Sequence, residues 1–415
     1  MHPSFARPAR IMRVLAAIAI GAATVSSAWA AGPKAYVGNF KDSTVSVIDT
    51  GARSVLATVP VAAGPDGIVV SADGTAAFVS GSSASAVSVI DTASDKVSAS
   101  IEVGKGPQGL AVTPDGRWLL VAVNGDDRVV IVDAASRRIA GNVPVQKPHT
   151  IAVRADGKLA YVTSQEPGHF ALSIVDLTTR AVVGSVPVDK PPRDMEFDHD
   201  GRALYFTLAG VPAVQVLDPA TNKIVAQIAT GTSPHLAHHF AGMREGVVVV
   251  QGPGEVMLFD PVTRAAVRSI AVGKQPHWID ASVDAKQLYV TNEGSNTVSV
   301  IDPASGETST IPVGNAPRKI AVQRVTKVGA AASDAVRVAI NNFAFEPAQI
   351  TIKVGQRVQW SNDDGAPHGV QFKDGSPGQD LMLPGQTYSR VFAQSGVYDY
   401  VCSVHPYMTA RVTVR

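Results

Sequence analysis

One short segment near the C-terminus concentrates the side chains that bind soft metal ions. Its sequence is Tyr400-Val-Cys-Ser-Val-His-Pro-Tyr-Met408, so Cys402, His405 and Met408 lie in a single short loop. A fourth candidate ligand, His368, lies further upstream. Two imidazoles and a thiolate with a weak axial thioether form the donor set of a blue copper electron-transfer site. The four residues therefore predict one mononuclear copper centre.

The cysteine count supports a metal at this position. Cys402 is the only cysteine among 415 residues, which excludes an intrachain disulfide and a binuclear centre built on two thiolates. Zinc fits less well, because structural zinc sites usually use several thiolates and a thioether binds zinc weakly. The alternative is that Cys402 and Met408 are ordinary core residues and the histidines lie on the surface. The clustering of all four candidates around the single cysteine argues against that alternative.

The N-terminus has the pattern of an export signal. Three arginines precede an apolar stretch, Val14–Ala23, and Ala28-Trp-Ala30 supplies the small residues that a signal peptidase needs. We predict a signal peptide over residues 1–30, a mature chain that starts near Ala31, and a periplasmic or secreted protein. An uncleaved membrane anchor is the weaker interpretation, because a helix needs about 20 apolar residues to span a bilayer. We expect no membrane segment after cleavage, and the net charge of +1 predicts no nucleic-acid partner.

Residues 31–325 contain an internal repeat. A unit of β-rich runs separated by Asp-Gly turns, such as Asp73-Gly74 and Asp115-Gly116, recurs about every 42 residues, which is the period of a four-stranded propeller blade. The repeats are anchored by prolines at equivalent positions: Pro65, Pro107, Pro148, Pro192, Pro234, Pro276 and Pro317.

The two ends of the repeat region predict how the propeller closes. The chain enters at Ala35-Tyr-Val-Gly38, which matches the second strand of a unit, and it leaves at Arg318-Lys-Ile-Ala-Val322, which matches a first strand. The last strand can therefore complete the first blade and remove its exposed edge. This arrangement predicts seven blades. A linker over 326–334 then leads to a small Greek-key β-sandwich over 335–415, so the expected fold class is all-β.

Both parts resemble known families. Tyr289-Val-Thr-Asn292 resembles the repeat motif of YVTN β-propellers. Trp360-Ser-Asn362 and the loop from Cys402 to Met408 resemble cupredoxins, most closely amicyanin and pseudoazurin. The resemblance implies that His405 reaches the surface and carries electrons to or from a redox partner that docks nearby. It also implies that Asn362 braces the cysteine loop.

The propeller carries its own candidate residues at one mouth of the channel. The residue after each anchoring proline starts the innermost strand, and in five blades it is His149, Arg193, His235, His277 or Arg318. Three residues further along three of these strands are Glu196, His238 and Asp280. These residues predict a possible metal or substrate site, in which the arginines would favour an anion. Residues three apart on a strand face opposite sides unless a bulge intervenes, which limits this prediction.

Two functions follow from these patterns. The favoured one is an electron-transfer protein whose propeller serves as a docking or substrate platform. The propeller of methylamine dehydrogenase looks similar and passes electrons to amicyanin, which implies that this propeller could dock a partner. The alternative is a copper oxidoreductase with a second metal or a substrate at the channel mouth, connected to the blue site. The sequence leaves open whether the protein is an enzyme.

Overall fold

A computed structural model describes residues 33–324 and 336–415, apart from 355, 377, 393 and 394 and the side chains of 380 and 391. The predicted signal peptide and the predicted linker lie outside the described residues, so their bounds remain predictions.

The first described range consists of short strands joined by turns. In chain order the strands of its first half are β1 (Lys34–Asn39), β2 (Thr44–Asp49), β3 (Ser54–Pro60), β4 (Pro65–Val70), β5 (Ala76–Gly81), β6 (Ala86–Asp91), β7 (Lys96–Glu102), β8 (Pro107–Val112), β9 (Trp118–Val123), β10 (Arg128–Asp133), β11 (Arg138–Pro144), β12 (Pro148–Val153), β13 (Leu159–Ser164) and β14 (Ala171–Asp176). The strands of its second half are β15 (Ala181–Pro187), β16 (Pro192–Phe197), β17 (Leu204–Leu208), β18 (Ala213–Asp218), β19 (Lys223–Ala229), β20 (Pro234–His238), β21 (Gly246–Val250), β22 (Glu255–Phe259), β23 (Ala266–Ala271), β24 (Pro276–Ala281), β25 (Leu288–Asn292), β26 (Thr297–Ile301), β27 (Thr308–Pro312) and β28 (Pro317–Val322). A single 3-10 turn, Asn124–Asp126, follows β9.

Residues 33–324 form seven four-stranded antiparallel sheets. Six sheets take four consecutive strands each, and the seventh joins β28 to β1, β2 and β3. The first strands of neighbouring sheets contact one another all the way round, which closes the ring. The predicted seven-bladed propeller is therefore confirmed.

The closing sheet has the predicted connection. Strand β28 lies antiparallel to β1, with Val322 opposite Ala35 and Ala321 opposite Tyr36. All four of these residues are buried. The last strand of the repeats thus completes the sheet that the first strands begin, and the pairing leaves no free inner edge on β1.

The threonine of the Tyr-Val-Thr-Asn motif has a structural role next to the channel. The pairing of the first and second strands shifts register just after the anchoring proline, for example between Pro148 and Ile151. Such an irregularity leaves a backbone N–H without its ladder partner. The hydroxyl of Thr163 accepts the N–H of Thr150 at 2.7 Å, and that of Thr291 accepts the N–H of Trp278 at 3.0 Å. These hydroxyls stabilise the bulge that places side chains at the channel mouth.

Residues 336–415 form a β-sandwich. Its strands are β29 (Val336–Asn341), β30 (Ala344–Glu346), β31 (Gln349–Ile352), β32 (Arg357–Asn362), β33 (His368–Phe372), β34 (Gln379–Met382), β35 (Thr387–Val391), β36 (Gly396–Val401) and β37 (Thr409–Val414). One sheet has the order β30-β29-β32-β35 and the other β31-β37-β36-β33-β34.

Alternating residues of the two sheets meet in one apolar core. Trp360 is fully buried at its centre, and its ring lies against those of Phe372, Tyr388 and Tyr400. Cys402 and Met408 also belong to this core. The candidate ligands are therefore held by a packed sandwich rather than by a free loop.

Candidate metal centre and propeller cavities

The loop between β36 and β37 folds tightly and carries three of the candidate ligands. Cys402 N donates to Met408 O at 3.0 Å, and Met408 N donates to His405 O at 2.9 Å. Because Val401 pairs with Thr409, the two strands hold both ends of the loop in register. Cys402 and Met408 are buried, whereas His405 is partly exposed.

The fourth candidate, His368, begins strand β33 and is fully buried. Its Nδ1 lies 3.6 Å from Cys402 Sγ and 3.2 Å from His405 Nδ1, and His405 Nδ1 lies 3.8 Å from the same sulfur. These three atoms form a compact triangle. Among the described residues it is the only group of three or more histidine, cysteine or carboxylate side chains whose ligand-type atoms all lie within 4.8 Å of one another.

Asp364 orients the ring of His368. Asp364 Oδ2 lies 3.2 Å from His368 Nε2 and accepts the N–H of Phe343 at 2.8 Å. The hydrogen bonds from Phe343 and His368 hold the pKa of Asp364 below its usual value. An ionised carboxylate can only accept a hydrogen bond, so the proton of a neutral His368 lies on Nε2. Its Nδ1 then has a lone pair, which is directed at the triangle. We infer this tautomer from the hydrogen bond.

Two backbone donors are directed at the sulfur of Cys402. The backbone N–H groups of Gly369 and His405 both donate to Sγ at 3.4 Å. Donors directed at a sulfur stabilise its thiolate form, which is the form that binds metals. A thiolate and two imidazole lone pairs that meet at one point fit a copper ion. Met408 belongs to the same loop, and its role as the axial ligand remains a prediction.

Asn362 anchors the segment that precedes His368. Its side-chain Nδ2 donates to Ala366 O and to Met382 O, each at 2.9 Å, and its Oδ1 accepts the N–H of Asp364 at 3.1 Å. Asn362 is fully buried, so these bonds are shielded from water. They hold the turn that carries Asp364, and the predicted brace on the cysteine loop remains a prediction.

Apolar side chains surround the exposed edge of His405. Phe343 lies 5.0 Å from the His405 ring and 5.3 Å from the His368 ring, in edge-to-face contact with each. Phe343 is 43% exposed, as is Val404, and Tyr407 is 69% exposed. Phe343 has a positive φ of 56°, which is rare for a bulky side chain. We call Phe343, Val404 and Tyr407 the apolar patch.

The structure separates the propeller candidates into two groups. Five of them, together with Asp194 and Lys319, line a cavity of about 670 Å³ that we call the histidine cavity: His149, Arg193, His235, His277 and Arg318. The other three line a cavity of about 370 Å³ that we call the carboxylate cavity: Glu196, His238 and Asp280. A register shift between Pro234 and Leu236 accompanies the separation of His235 from His238. The eight candidates therefore do not form a single site.

Asp194 and Lys319 are important residues of the histidine cavity that the sequence reading missed. Both are buried, and Asp194 Oδ2 lies 2.9 Å from His235 Nδ1 while its Oδ1 lies 3.6 Å from Lys319 Nζ. Burial raises the pKa of Asp194, but the attraction of His235 and Lys319 outweighs it and holds the pKa well below its usual value. The available signal was a charged residue two places after the anchoring proline, where two other repeats have Gly67 and Gly109.

Three of the cavity histidines have clearly lowered pKa values and are therefore neutral at neutral pH. Burial lowers the pKa of His149, and burial with the neighbouring His235 lowers that of His277 well below its usual value. In the carboxylate cavity, burial and Arg324 lower the pKa of His238 to about 3. Burial raises the pKa of Glu196 to about 7. The rings of His235 and His277 lie 4.0 Å apart.

Fold and site together define a cupredoxin joined to a β-propeller. Comparison with family models agrees: residues 332–415 match copper-binding proteins of the plastocyanin/azurin family, and residues 11–113 and 110–242 match the YNCE-like β-propeller. The chain therefore belongs to the plastocyanin/azurin family through its C-terminal domain and to the YNCE-like β-propellers through its N-terminal part. A cupredoxin domain indicates a type 1 copper and copper electron transfer, and the triangle of ligand atoms fits that cofactor.

Individual relatives resemble the C-terminal part. Amicyanin from Paracoccus versutus is 39% identical over 103 residues, which cover 23% of this chain and 78% of the relative. Amicyanin-alpha from Methylorubrum extorquens is 35% identical over 106 residues, which cover 24% of this chain and 88% of the relative. Plastocyanin from Scenedesmus fuscus is 36% identical over 74 residues, or 15% of this chain and 76% of the relative.

Solved structures resemble a larger share of the chain at low identity. Hydrazine synthase from Kuenenia stuttgartiensis matches with a TM-score of 0.59 and 20% identity, covering 65% of this chain and 92% of that one. The dihydro-heme d1 dehydrogenase NirN matches with a TM-score of 0.52 and 18% identity, covering 71% of this chain and 75% of that one. At these identities the likeness shows the fold alone.

Proposed function

We propose that the chain is an exported one-electron carrier in which His368, Cys402, His405 and Met408 hold a type 1 copper. The observation that carries the proposal is the triangle formed by His368 Nδ1, Cys402 Sγ and His405 Nδ1. Copper bound there would supply a one-electron redox couple. The packed sandwich would hold the ligands still during electron transfer, which keeps the reorganisation small.

The export part of the proposal rests on the sequence pattern of residues 1–30. In the described part of the chain, no helix combines the length and the apolar character that crossing a membrane requires. We propose a periplasmic or secreted location, with the propeller over 31–325 and the cupredoxin over 335–415. The N-terminus of the purified exported protein should be near Ala31.

Electrons would enter or leave through His405. Among the proposed ligands His405 is partly exposed, whereas the other three are buried. The apolar patch beside it can be desolvated at low cost when a partner protein docks, and a short contact favours electron transfer. We propose that a redox partner docks on this patch, with the propeller as a further docking platform.

A negative charge on the apolar patch should slow electron exchange between two copies of the protein. Val404→Asp places a carboxylate next to His405, and two such patches cannot meet without burying like charges. We expect self-exchange, followed by NMR line broadening in mixtures of oxidised and reduced protein, to slow by about tenfold or more.

Val397→Asp is the matched control for this substitution. Val397 is 58% exposed and opposes Thr413, at the end of the β36–β37 hairpin away from the ligand loop. The control should exchange electrons at the rate of the unchanged protein. Equal rates for the two variants would contradict docking at the patch.

The second candidate function is an oxidoreductase that uses the histidine cavity. The observation that favours it is a large polar cavity with three imidazoles and two arginines on its wall. A substrate fits this cavity better than a second metal, because its described ligand-type atoms form no compact group of three. The cupredoxin would then exchange electrons with chemistry in the propeller.

Metal content separates these functions. We expect one copper per chain and an intense visible absorption, both retained when His149, His235 and His277 are all changed to alanine. The reason is that the proposed ligands lie in residues 336–415, whereas the three histidines lie in the propeller. Copper would be measured by atomic emission, with protein quantified by amino-acid analysis. Two metals per chain, one of them lost in the triple variant, would refute the single-copper proposal in favour of a second metal centre.

A further inference from the structure

The cations on the wall of the histidine cavity differ in how completely they are neutralised. Arg318 Nη1 lies 3.0 Å from Asp66 Oδ1, and its Nε lies 3.5 Å from Glu293 Oε1. Lys319 lies beside Asp194 and also over the Trp278 ring. These two cations therefore have carboxylate partners within the wall.

Arg193 is the exception. It donates to Ser233 Oγ at 3.2 Å and to Gln251 Oε1 at 3.4 Å, and both acceptors are neutral. Among the described residues it makes no ion pair. A half-buried guanidinium bonded only to neutral oxygens retains its full charge and its capacity for two parallel bonds to a carboxylate. The wall therefore has one position that favours an anionic group.

Asp194 also lies against the imidazole of His235. His235 Nδ1 lies 2.9 Å from Asp194 Oδ2. Asp194 is therefore shared between His235 and Lys319.

Asp194 also directs His149 through one hydroxyl. Thr150 Oγ1 donates to Asp194 Oδ1 at 2.9 Å, with Arg193 O as a second acceptor at 3.1 Å, and lies 3.0 Å from His149 Nδ1. A hydroxyl has one hydrogen, so with that hydrogen directed at either oxygen it accepts the hydrogen bond from His149 Nδ1. His149, which burial keeps neutral, therefore has its free lone pair on Nε2.

These groups alternate around the ring. His149, Arg193 and His235 occupy the same repeat position on the first strands of three successive blades, β12, β16 and β20. First strands of neighbouring blades are in contact, so the cation lies beside the acceptor Nε2 of His149. A ligand that satisfies this set needs a negative group and, next to it, a hydrogen-bond donor.

We propose that the histidine cavity binds a small hydroxy acid, with its carboxylate on Arg193 and its hydroxyl donated to Nε2 of His149. This inference deepens the second candidate function and rests on the cavity being a ligand site. Thr150 and Asp194 act as positioning residues, because they hold the proton of His149 on Nδ1. A cavity of about 670 Å³ has room for such a molecule.

Three related small molecules test the carboxylate contact and the hydroxyl contact separately. The copper-loaded, full-length protein is titrated calorimetrically with racemic lactate, with propionate, which lacks the hydroxyl, and with lactamide, which lacks the charge. Lactate should bind saturably. The other two should bind about tenfold more weakly or worse, because each leaves a polar group of the cavity unpaired. Equal binding of all three probes, or no saturation with lactate, overturns the proposal.

Substitutions test which residue binds the carboxylate of lactate and which residues recognise its hydroxyl. Arg193→Gln should make lactate bind no more tightly than lactamide, and Thr150→Val or Asp194→Asn should remove the preference for lactate over propionate. Arg202→Gln is the charge-matched control, since Arg202 is 85% exposed and should leave all three affinities unchanged. If Asp194→Asn fails to fold, Thr150→Val and the probe series on the unchanged protein still decide. An Arg193→Gln variant that still prefers lactate over lactamide contradicts the assignment.

The proposed hydroxy-acid site and the proposed copper site can be refuted independently of each other. The visible absorption of the same samples reports the copper site, and Cys402→Ser should bind lactate with unchanged affinity. A colourless protein that binds lactate refutes only the copper assignment. A blue protein that does not bind it refutes only the hydroxy-acid site.

Discussion

Replacing Cys402 by serine should abolish the intense visible absorption of the copper-loaded protein. That absorption requires a copper–thiolate bond, and Cys402 is the only thiol in the chain. Serine is nearly isosteric and, unlike the thiol, remains protonated, so the site should also lose most of its affinity for copper. The measurement is an absorption spectrum with a copper titration, at equal protein concentration.

Met408→Leu is the matched control for the copper site. Leucine removes the weak axial donor but keeps an apolar side chain of similar volume in the core, so the protein should stay blue with an altered reduction potential. Thermal unfolding of the copper-free proteins would check that both variants fold. A Cys402→Ser protein that remains blue would show that the copper ligands are assigned wrongly.

Removing the carboxylate of Glu196 should change the pH dependence of propeller stability. Burial raises the pKa of Glu196 from 4.5 to about 7. Between these two values the folded state binds more protons at this residue than the unfolded state, so the wild-type protein loses stability as pH rises. Glu196→Gln cannot ionise. Its stability relative to the wild type should therefore increase by on the order of 3 kcal/mol between about pH 4.5 and pH 8.

Chemical denaturation of the copper-loaded proteins across this pH range measures the difference. Taking the variant minus the wild type cancels the titrating groups that lie far from Glu196. Glu102→Gln is the control, because Glu102 is exposed on β7. A difference between Glu196→Gln and wild type that does not vary with pH would show that Glu196 ionises freely in the folded protein.

The copper ligands could be predicted because their donor chemistry is local. Cys402, His405 and Met408 belong to one loop, and the single cysteine limits the possibilities for any metal. Asp364 was not predicted as a partner of His368. A carboxylate four residues before a histidine is common in any chain, and only the turn held by Asn362 brings the two side chains to 3.2 Å.

The seven blades could be predicted for a different reason. A unit that repeats along the chain must repeat in space when its apolar residues can be buried only against the next unit. The entry of the chain at a second strand and its exit at a first strand then require the closing pair of β1 and β28. Repeat length and end parity are properties of the sequence, so no long-range information was needed.

The propeller site depended on geometry that repeats do not encode. Counting positions along the strands grouped His235 with His238 and Glu196 with Arg193, but the structure places them in separate cavities. The reason is that the strands shift register after the proline, where Thr207 of the preceding blade donates its hydroxyl to the carbonyl of His235 at 2.7 Å. Whether such a shift occurs depends on packing between strands and not on the residue types alone.

The amino-acid sequence by itself therefore determined the family, the blade number and the ligands expected to hold the metal, because each follows from local patterns or from periodicity. The tertiary structure alone decided which polar side chains meet. The contact of Asp194 with His235 and Lys319 joins residues from three blades, and the unpaired charge of Arg193 is visible only once its neighbours are known. Pairing between distant segments is a property of the packed fold, and that pairing sets the charge and the hydrogen-bond direction of the histidine cavity.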